Sequence, residues 1–409
     1  MHMRNPKMVL DSLTLNAFKE NYQYSRLYRN LYNPQFYYMA YNKLSSGNIT
    51  EDCVIYKLIE SIKDESYKPK ALSNIIEDNM VQEIIRTILQ SIYEPKFSKN
   101  SHGFRPNKSC HTALSQISKF NEVKWYVVGE IEDFFNNIDH HILISILRES
   151  IKDERFINLI WKFLKARYVD MWHYNNSYCG TPQGSIIGPI LANIYLDKLD
   201  CYIEQHINCY TRYADKFLIG VIGSKQDAIA FQQNIKMFLN DHLKLQCADG
   251  KTLISDDKVR FLGYDIAINN ACTRRLFMPQ EAWLSKLKEY NAMDIVQHNG
   301  KEVWKPKHRA YLINRDNLDI FKAYNAQIRG LYNYYSLAVN VSSLNAFYYI
   351  MKYSFAKTMG CKYKISVRQV YRKFSIDGKL ALKYDTKQGP KIYYFYNQGF
   401  KTCELKMLD

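Results

Sequence analysis

Two short runs of strand-forming residues, Tyr210 to Tyr213 and Phe217 to Val221, are separated by so few positions that they must form a tight antiparallel hairpin, with Asp215 at its tip. The hairpin sits inside an alternation of element types. Trp125 to Ile131 reads as a strand, and His140 to Glu149 and Arg155 to Ala166 read as helices. Gly180-Thr181-Pro182-Gln183-Gly184 reads as a loop that opens a helix running to about Gln205. A helix from Gln226 to about Leu243 follows the hairpin, and Val259 to Ile268 reads as a final strand. Strand, helices, hairpin, helix, strand is an α+β pattern, compatible with a split βαβ sheet backed by helices.

The flanking regions differ from this middle. Residues 1–95 read as helical. Their clearest helix is expected to start with Asp78 as a cap, to carry Val81, Ile84, Ile85, Ile88, Leu89 and Ile92 at helical spacing, and to end at Pro95. After about 270 three further helices are expected, over Leu318 to Leu337, Leu344 to Met359 and Ser366 to Phe374. In the first of them Ile320, Phe321, Tyr324, Ile328, Leu331 and Tyr335 form one apolar stripe. The residues from Ile376 onward read as strand or loop.

Charge follows the same division. The net charge is +16; residues 271–409 hold 24 Lys and Arg against 10 Asp and Glu, which leaves only +2 for the other 270 residues. An excess confined to one third of a chain suits a surface that neutralises phosphates, although a generally basic protein with no such partner carries similar totals. The chain also has 34 tyrosines, many beside C-terminal lysines. Tyrosines so placed either stack on unpaired bases or pack half-buried with the hydroxyl in water, and packing is the expected role for most of them. The nine cysteines form no Cys-x-x-Cys pair, so neither a structural zinc site nor a disulfide framework is expected. No apolar run approaches bilayer length and the first residues lack the apolar stretch of a signal peptide, so a soluble, cytoplasmic protein is expected.

The chemistry converges from three segments: Gly129-Glu130-Ile131-Glu132-Asp133-Phe134-Phe135-Asn136, the loop-to-helix stretch Gly180 to Tyr195, and Arg212-Tyr213-Ala214-Asp215-Lys216. Nucleotidyl transfer with two Mg²⁺ ions needs a strand-end carboxylate and a pair of carboxylates at a hairpin tip, close enough to share both ions. Glu130 and Asp215 can supply two of the three and are the candidate metal ligands. Lys216 stands where the third belongs, taking the formal charge of the trio from −3 to −1.

These segments closely resemble the reverse transcriptases encoded by group II introns, which are also splicing maturases. The resemblance runs from Leu27-Tyr28-Arg29 to Lys387-Gln388-Gly389. It includes Ser101-His102-Gly103-Phe104-Arg105-Pro106, Ser109-Cys110-His111-Thr112-Ala113-Leu114, Gly180 to Tyr195, Phe261-Leu262-Gly263-Tyr264, Trp304-Lys305-Pro306-Lys307-His308-Arg309 and Tyr332-Asn333-Tyr334-Tyr335. It implies a right-hand polymerase fold: a reduced fingers region at 1–95, a fingers and palm domain at 96–270 with an antiparallel sheet and helices, a helical thumb or maturase domain X at 271–376, and a basic tail at 377–409. Group II intron RNA is the implied partner. Lys305, Lys307, His308, Arg309, Arg329, Lys362, Lys364, Arg368, Arg372 and Lys373 are the candidate RNA contacts, each alone an ordinary surface charge. Phe135 matches the gate against a ribose 2′-hydroxyl, and Gln183 matches a nucleotide contact.

Four departures from the family shape the expected function. The family's Tyr-Ala-Asp-Asp ends here in Lys216, and a unit charge about 4 Å from a metal position is worth roughly 4 kcal/mol at an intermediate dielectric. The strand-end Asp is Glu130, whose extra methylene keeps the charge but moves the carboxylate, and Mg²⁺ demands good octahedral geometry. The Asp after the double Phe is Asn136. After Tyr67-Lys68-Pro69 the basic fingers hairpin that holds a triphosphate is missing. The family's DNA-binding segment and His-Asn-His nuclease are also not found, which puts DNA binding in doubt. The expectation is an RNA-binding maturase that stabilises folded intron RNA, needs no cofactor for that binding and has lost DNA synthesis, with Mg²⁺ binding weakened. The alternative is a residually active RNA-directed DNA polymerase using Glu130 and Asp215 with Mg²⁺. Oligomeric state is not legible.

Overall fold

The computed structural model describes residues 5–44, 52–69, 76–166, 185–268, 274–298, 301–386 and 389–403. The chain divides into two compact units, Met1–Asp256 and Asp257–Asp409. No described helix is long and apolar enough to cross a membrane.

The first unit is built around a four-stranded antiparallel sheet of β1 (Trp125–Glu130), β2 (Tyr210–Tyr213), β3 (Lys216–Val221) and β4 (Leu253–Ser255), in the order β2-β3-β1-β4. The inner strands β1 and β3 are buried along most of their length, as their Val, Ile, Leu and Phe content requires. The register sets Trp125 opposite Val221 and Glu130 opposite Lys216. A slip of one residue would turn every side chain to the other face, so this pairing fixes which groups meet at the strand end. Helix Lys225–Leu243 packs on β1, and Gly188–Glu204 packs on β2. Ser224 and Asp227 start the former with a reciprocal capping box.

Helix Ile76–Tyr93 buries Ile84, Ile85, Ile88, Leu89 and Ile92 at the expected spacing. It begins two residues before Asp78, which is no cap: Asp78 is buried and accepts a 2.5 Å bond from the Tyr67 hydroxyl. A partner contributed from elsewhere in the chain outcompetes the local capping preference. Residues 70–75, the short connection where the fingers hairpin is expected to be missing, lie outside the described residues, as does the Gly180–Gly184 loop with Gln183.

The second unit carries more strand than the sequence suggests. Val259 to Ile268, read as one strand, is two: β5 (Lys258–Phe261) and β6 (Tyr264–Ile268), which turn at Leu262 (φ 47°) and Gly263 (φ 72°) and continue to β7 (Arg274–Phe277). Two consecutive positive φ values make the primed turn that matches strand twist, and glycine supplies one of them without strain. The hydroxyls of Tyr334 and Tyr335 donate to the carbonyls of Leu262 and Gly263, at 2.7 and 3.2 Å. A second hairpin, β8 (Met293–His298) with β9 (Lys301–Pro306), precedes the three expected helices, inside the 271–376 region expected as a helical domain.

The three expected helices are present as Asn317–Tyr335, Leu344–Tyr363 and Val367–Lys373. The basic stretch from Ile376, expected as strand or loop, forms β10 (Ser375–Ile376), β11 (Lys379–Thr386) and β12 (Gly389–Tyr394), followed by the buried Phe395, Tyr396 and Phe400. The Phe395 ring lies 5.0 Å from that of Phe355 and 6.2 Å from that of Phe321, so the tail closes the core of this unit. Its apolar aromatics decide its placement, and its lysines remain at the surface.

Candidate active site and basic surface

The hairpin tip is held from beneath by a buried cation. Arg212, on β2, is fully buried and donates to both oxygens of the buried Asp200, at 2.7 and 2.6 Å. It also donates to the Ala214 carbonyl at 2.9 Å, the Ser101 hydroxyl at 2.8 Å and the Asn193 side-chain oxygen at 3.2 Å. Tyr210 donates to the same Asp200 at 2.6 Å. A buried ion pair tolerates its desolvation only when its remaining donors and acceptors are satisfied, and here five bonds on the guanidinium do so.

Ala214 has φ 55°, an uncomfortable value for a residue with a Cβ, and the Arg212 bond to its carbonyl helps keep it there. Gly103 closes the other side: a Cβ at that position would stand 2.4 Å from the Ala214 nitrogen. The Ser101-His102-Gly103 segment lies along β2 through reciprocal backbone bonds, His102 to Arg212 and Arg212 to Asn100, each 2.9 Å. This signature therefore braces the hairpin.

At the tip the register delivers Lys216 to Glu130. Its ammonium lies 2.7 Å from Glu130 Oε2 and 4.0 Å from Asp215 Oδ2. The other Glu130 oxygen, Oε1, is 2.7 Å from the ammonium of Lys251, a residue that no sequence motif marks. Burial pushes the Glu130 carboxyl up, but the two ammoniums more than reverse this and hold it below the usual range. Burial pushes Asp215 up, and Lys216 only partly offsets it. The Lys251 ammonium is raised by its bond to Glu130. Among the described residues no three of His, Cys, Asp and Glu are grouped so as to hold a metal ion.

Phe135 is buried, with its ring 6.1 Å from Phe104 and 5.1 Å from Phe134. The Asn136 amide donates to the Asp133 carboxylate at 2.9 and 3.1 Å.

Below the hairpin, Asp197 is pushed up to about 7, by burial first and then by the neighbouring Asp200 charge, and its Oδ1 has no hydrogen-bond partner among the described residues. The folded state thus holds a proton that the unfolded chain releases near the ordinary value of 3.8, so stability falls as pH rises from about 4 to about 7. Asp197→Asn is expected to flatten that decline and to raise the melting temperature at pH 8. A thermal melt series across pH checks this, and an unchanged slope would count against it.

The basic candidates separate into three groups. Lys305, Arg329, Lys364, Arg368, Arg372 and Lys373 are exposed. Lys307 is paired with Asp294 at 3.0 Å, His308 is half-buried, and Lys362 donates to the Arg315 carbonyl. Arg309 is a correction: it is 1% exposed, so it offers no surface to RNA. Its guanidinium lies 4.7, 5.1 and 5.7 Å from the rings of Tyr324, Tyr311 and Tyr290, and it donates to Gln327 at 2.8 Å. It is a core cation inside an aromatic cage.

Comparison with known proteins agrees with this geometry. Residues 63–266 match the reverse transcriptase (RNA-dependent DNA polymerase) family model, and residues 276–402 match the type II intron maturase model. Group II intron-encoded protein LtrA of Lactococcus lactis subsp. cremoris is 33% identical over 98% of this chain and 85% of its own length. The putative COX1/OXI3 intron 2 protein of Saccharomyces cerevisiae is 30% identical over 68% of this chain and 42% of its own length. An uncharacterised 91 kDa protein in the cob intron of Schizosaccharomyces pombe is 30% identical over 91% of this chain and 59% of its own. With a hairpin-tip aspartate in a reverse transcriptase domain, a maturase domain after it, and a group II intron-encoded relative 33% identical over 98% of its length, the chain belongs to the group II intron-encoded reverse transcriptase and maturase family.

Proposed function

We infer that this protein is a maturase that binds a group II intron RNA and stabilises its splicing-competent fold, and that it no longer synthesises DNA. In this reading the four-stranded sheet is the palm, the helices around Ile76–Tyr93 belong to a reduced fingers region, and the helices of the second unit form the thumb that grips RNA. Splicing chemistry resides in the RNA, so affinity and geometry are all the protein must supply.

One observation carries the loss of polymerase activity. Both oxygens of Glu130 are taken by ammoniums at 2.7 Å, so the strand-end carboxylate a metal pair requires is already engaged. The donor set, two carboxylates among two lysines, does not fit a pair of divalent ions. The alignment with LtrA supports a shortened chain as well: it runs over 517 positions against 409 residues, so internal stretches of the relative have no counterpart here.

The experiment is a splicing assay at Mg²⁺ too low for RNA self-splicing, run beside a primer-extension assay. Accelerated splicing with no primer extension is the expected outcome. Primer extension that vanishes in Asp215→Ala, with no effect on splicing, would replace this reading with that of a working polymerase.

A further inference from the structure

The second lysine at the hairpin is delivered by the backbone. The chain leaving helix Lys225–Leu243 runs beside the end of β1: Glu132 donates to the Gln246 carbonyl and Ala248 to the Glu130 carbonyl, both at 2.8 Å, and Ile131 pairs with Cys247. It then turns at Asp249-Gly250 and enters β4, which pairs with β1 again over Tyr126 to Val128. Lys251 lies between these two stretches of pairing, so its Cα is fixed beside Glu130 from both sides. Lys216 is fixed as firmly, being the register partner of Glu130 in β3. Two independent pieces of sheet therefore each bring one ammonium to one oxygen of the same carboxylate.

The four groups sum to zero: Glu130 and Asp215 against Lys216 and Lys251. Two positive charges between two carboxylates is the balance that bound cations would otherwise provide to an acidic strand end. We propose that Lys216 and Lys251 together take the place of the metal pair, so that the former metal site is a closed, self-neutralised cluster from which divalent ions are excluded by two separate locks. The inference rests on the reading of a lost polymerase, but it concerns cation binding alone, and its outcome is independent of splicing and of RNA affinity.

A definite consequence is that reverting Lys216 does not by itself reopen the site. Lys216→Asp leaves three carboxylates with Lys251 still seated on Glu130; only the added Lys251→Met, which keeps the methylene stem and removes the charge, frees all three. Mn²⁺ binding is measured by electron paramagnetic resonance on the full chain without RNA. Wild type is expected to show no Mn²⁺ binding that depends on Asp215, as judged against Asp215→Asn. The double variant is expected to bind Mn²⁺ at least about tenfold more tightly than Lys216→Asp, since a unit charge a few ångströms from a dication is removed. Equal affinity in the single and double variants would show that Lys251 is no lock. Asp215-dependent binding in wild type would overturn the whole proposal, and this arm does not depend on the folding of the Lys216 and Lys251 variants.

Discussion

Asp200→Ala is expected to destabilise the first unit by about 3–5 kcal/mol, the cost of stranding a buried charge without its counter-ion. The reason is specific to what Asp200 serves. Its two oxygens accept from Arg212 at 2.7 and 2.6 Å and from Tyr210 at 2.6 Å, and both donors are buried. Removing the carboxylate leaves a guanidinium that cannot reach water and a phenol without its acceptor. Domains of this size are stable by only about 5–15 kcal/mol, so a loss of this size is a large share of the total. The Ala214 turn should loosen at the same time, because the same guanidinium holds its carbonyl.

Urea denaturation of wild type, Asp200→Ala and the double variant Asp200→Leu with Arg212→Met separates charge from shape. Replacing both partners with apolar side chains of similar volume is expected to recover much of the loss, since no unpaired ion remains. A single variant within about 1 kcal/mol of wild type would mean that Arg212 reaches solvent or another acceptor, and the brace would have to be reassigned.

The hairpin that carries Asp215 is legible in the sequence because its two strands are local, rich in strand-forming residues and joined by a turn. Asp200 and Arg212 are twelve residues apart and on different elements, so neither looks special alone. The same is true of Lys251, 35 positions beyond Lys216: only the register of β1 with its neighbours puts both lysines on Glu130. Arg309 is misread for the converse reason. Among Lys305, Lys307 and His308 it looks like one more surface cation, and nothing nearby in the chain reveals that Tyr290 and Tyr324 close around it. The single strand expected over Val259 to Ile268 fails at Gly263, where a glycine inside an apolar run is itself a turn signal. The tyrosines fared better: Tyr334 and Tyr335 pack and bond to a turn, as expected for most of them.

Replacing Lys364, Arg368, Arg372 and Lys373 together by glutamine is expected to weaken RNA binding by about 10–100-fold at physiological salt, with a salt dependence shallower by up to about 3 in log–log slope, one counterion's worth per lost phosphate contact. The local fold makes these four a set. Lys364 ends helix Leu344–Tyr363 in the left-handed conformation at φ 54°, and Ser366 starts the next helix with a capping box. This sharp turn presents Arg368 and Arg372 one helical turn apart and exposed, while Val370 is buried against the core. Lys373 lies 3.8 Å above the Tyr363 ring, which fixes its position at little cost in freedom. The discriminating control has equal charge: Lys379, Lys383, Lys391 and Lys401 changed to glutamine remove the same +4 from the same unit, from the strands and the segment after them. If the two sets weaken binding alike, the +14 of the C-terminal third acts as a diffuse field and no face has been identified. If only the first set does, RNA lies against the turn between the two helices. Arg309→Ala separates a third cause. Its guanidinium is enclosed, so the variant should lose stability while the salt slope of the fraction that folds stays unchanged, because a charge that no phosphate touches releases no counterion when RNA binds.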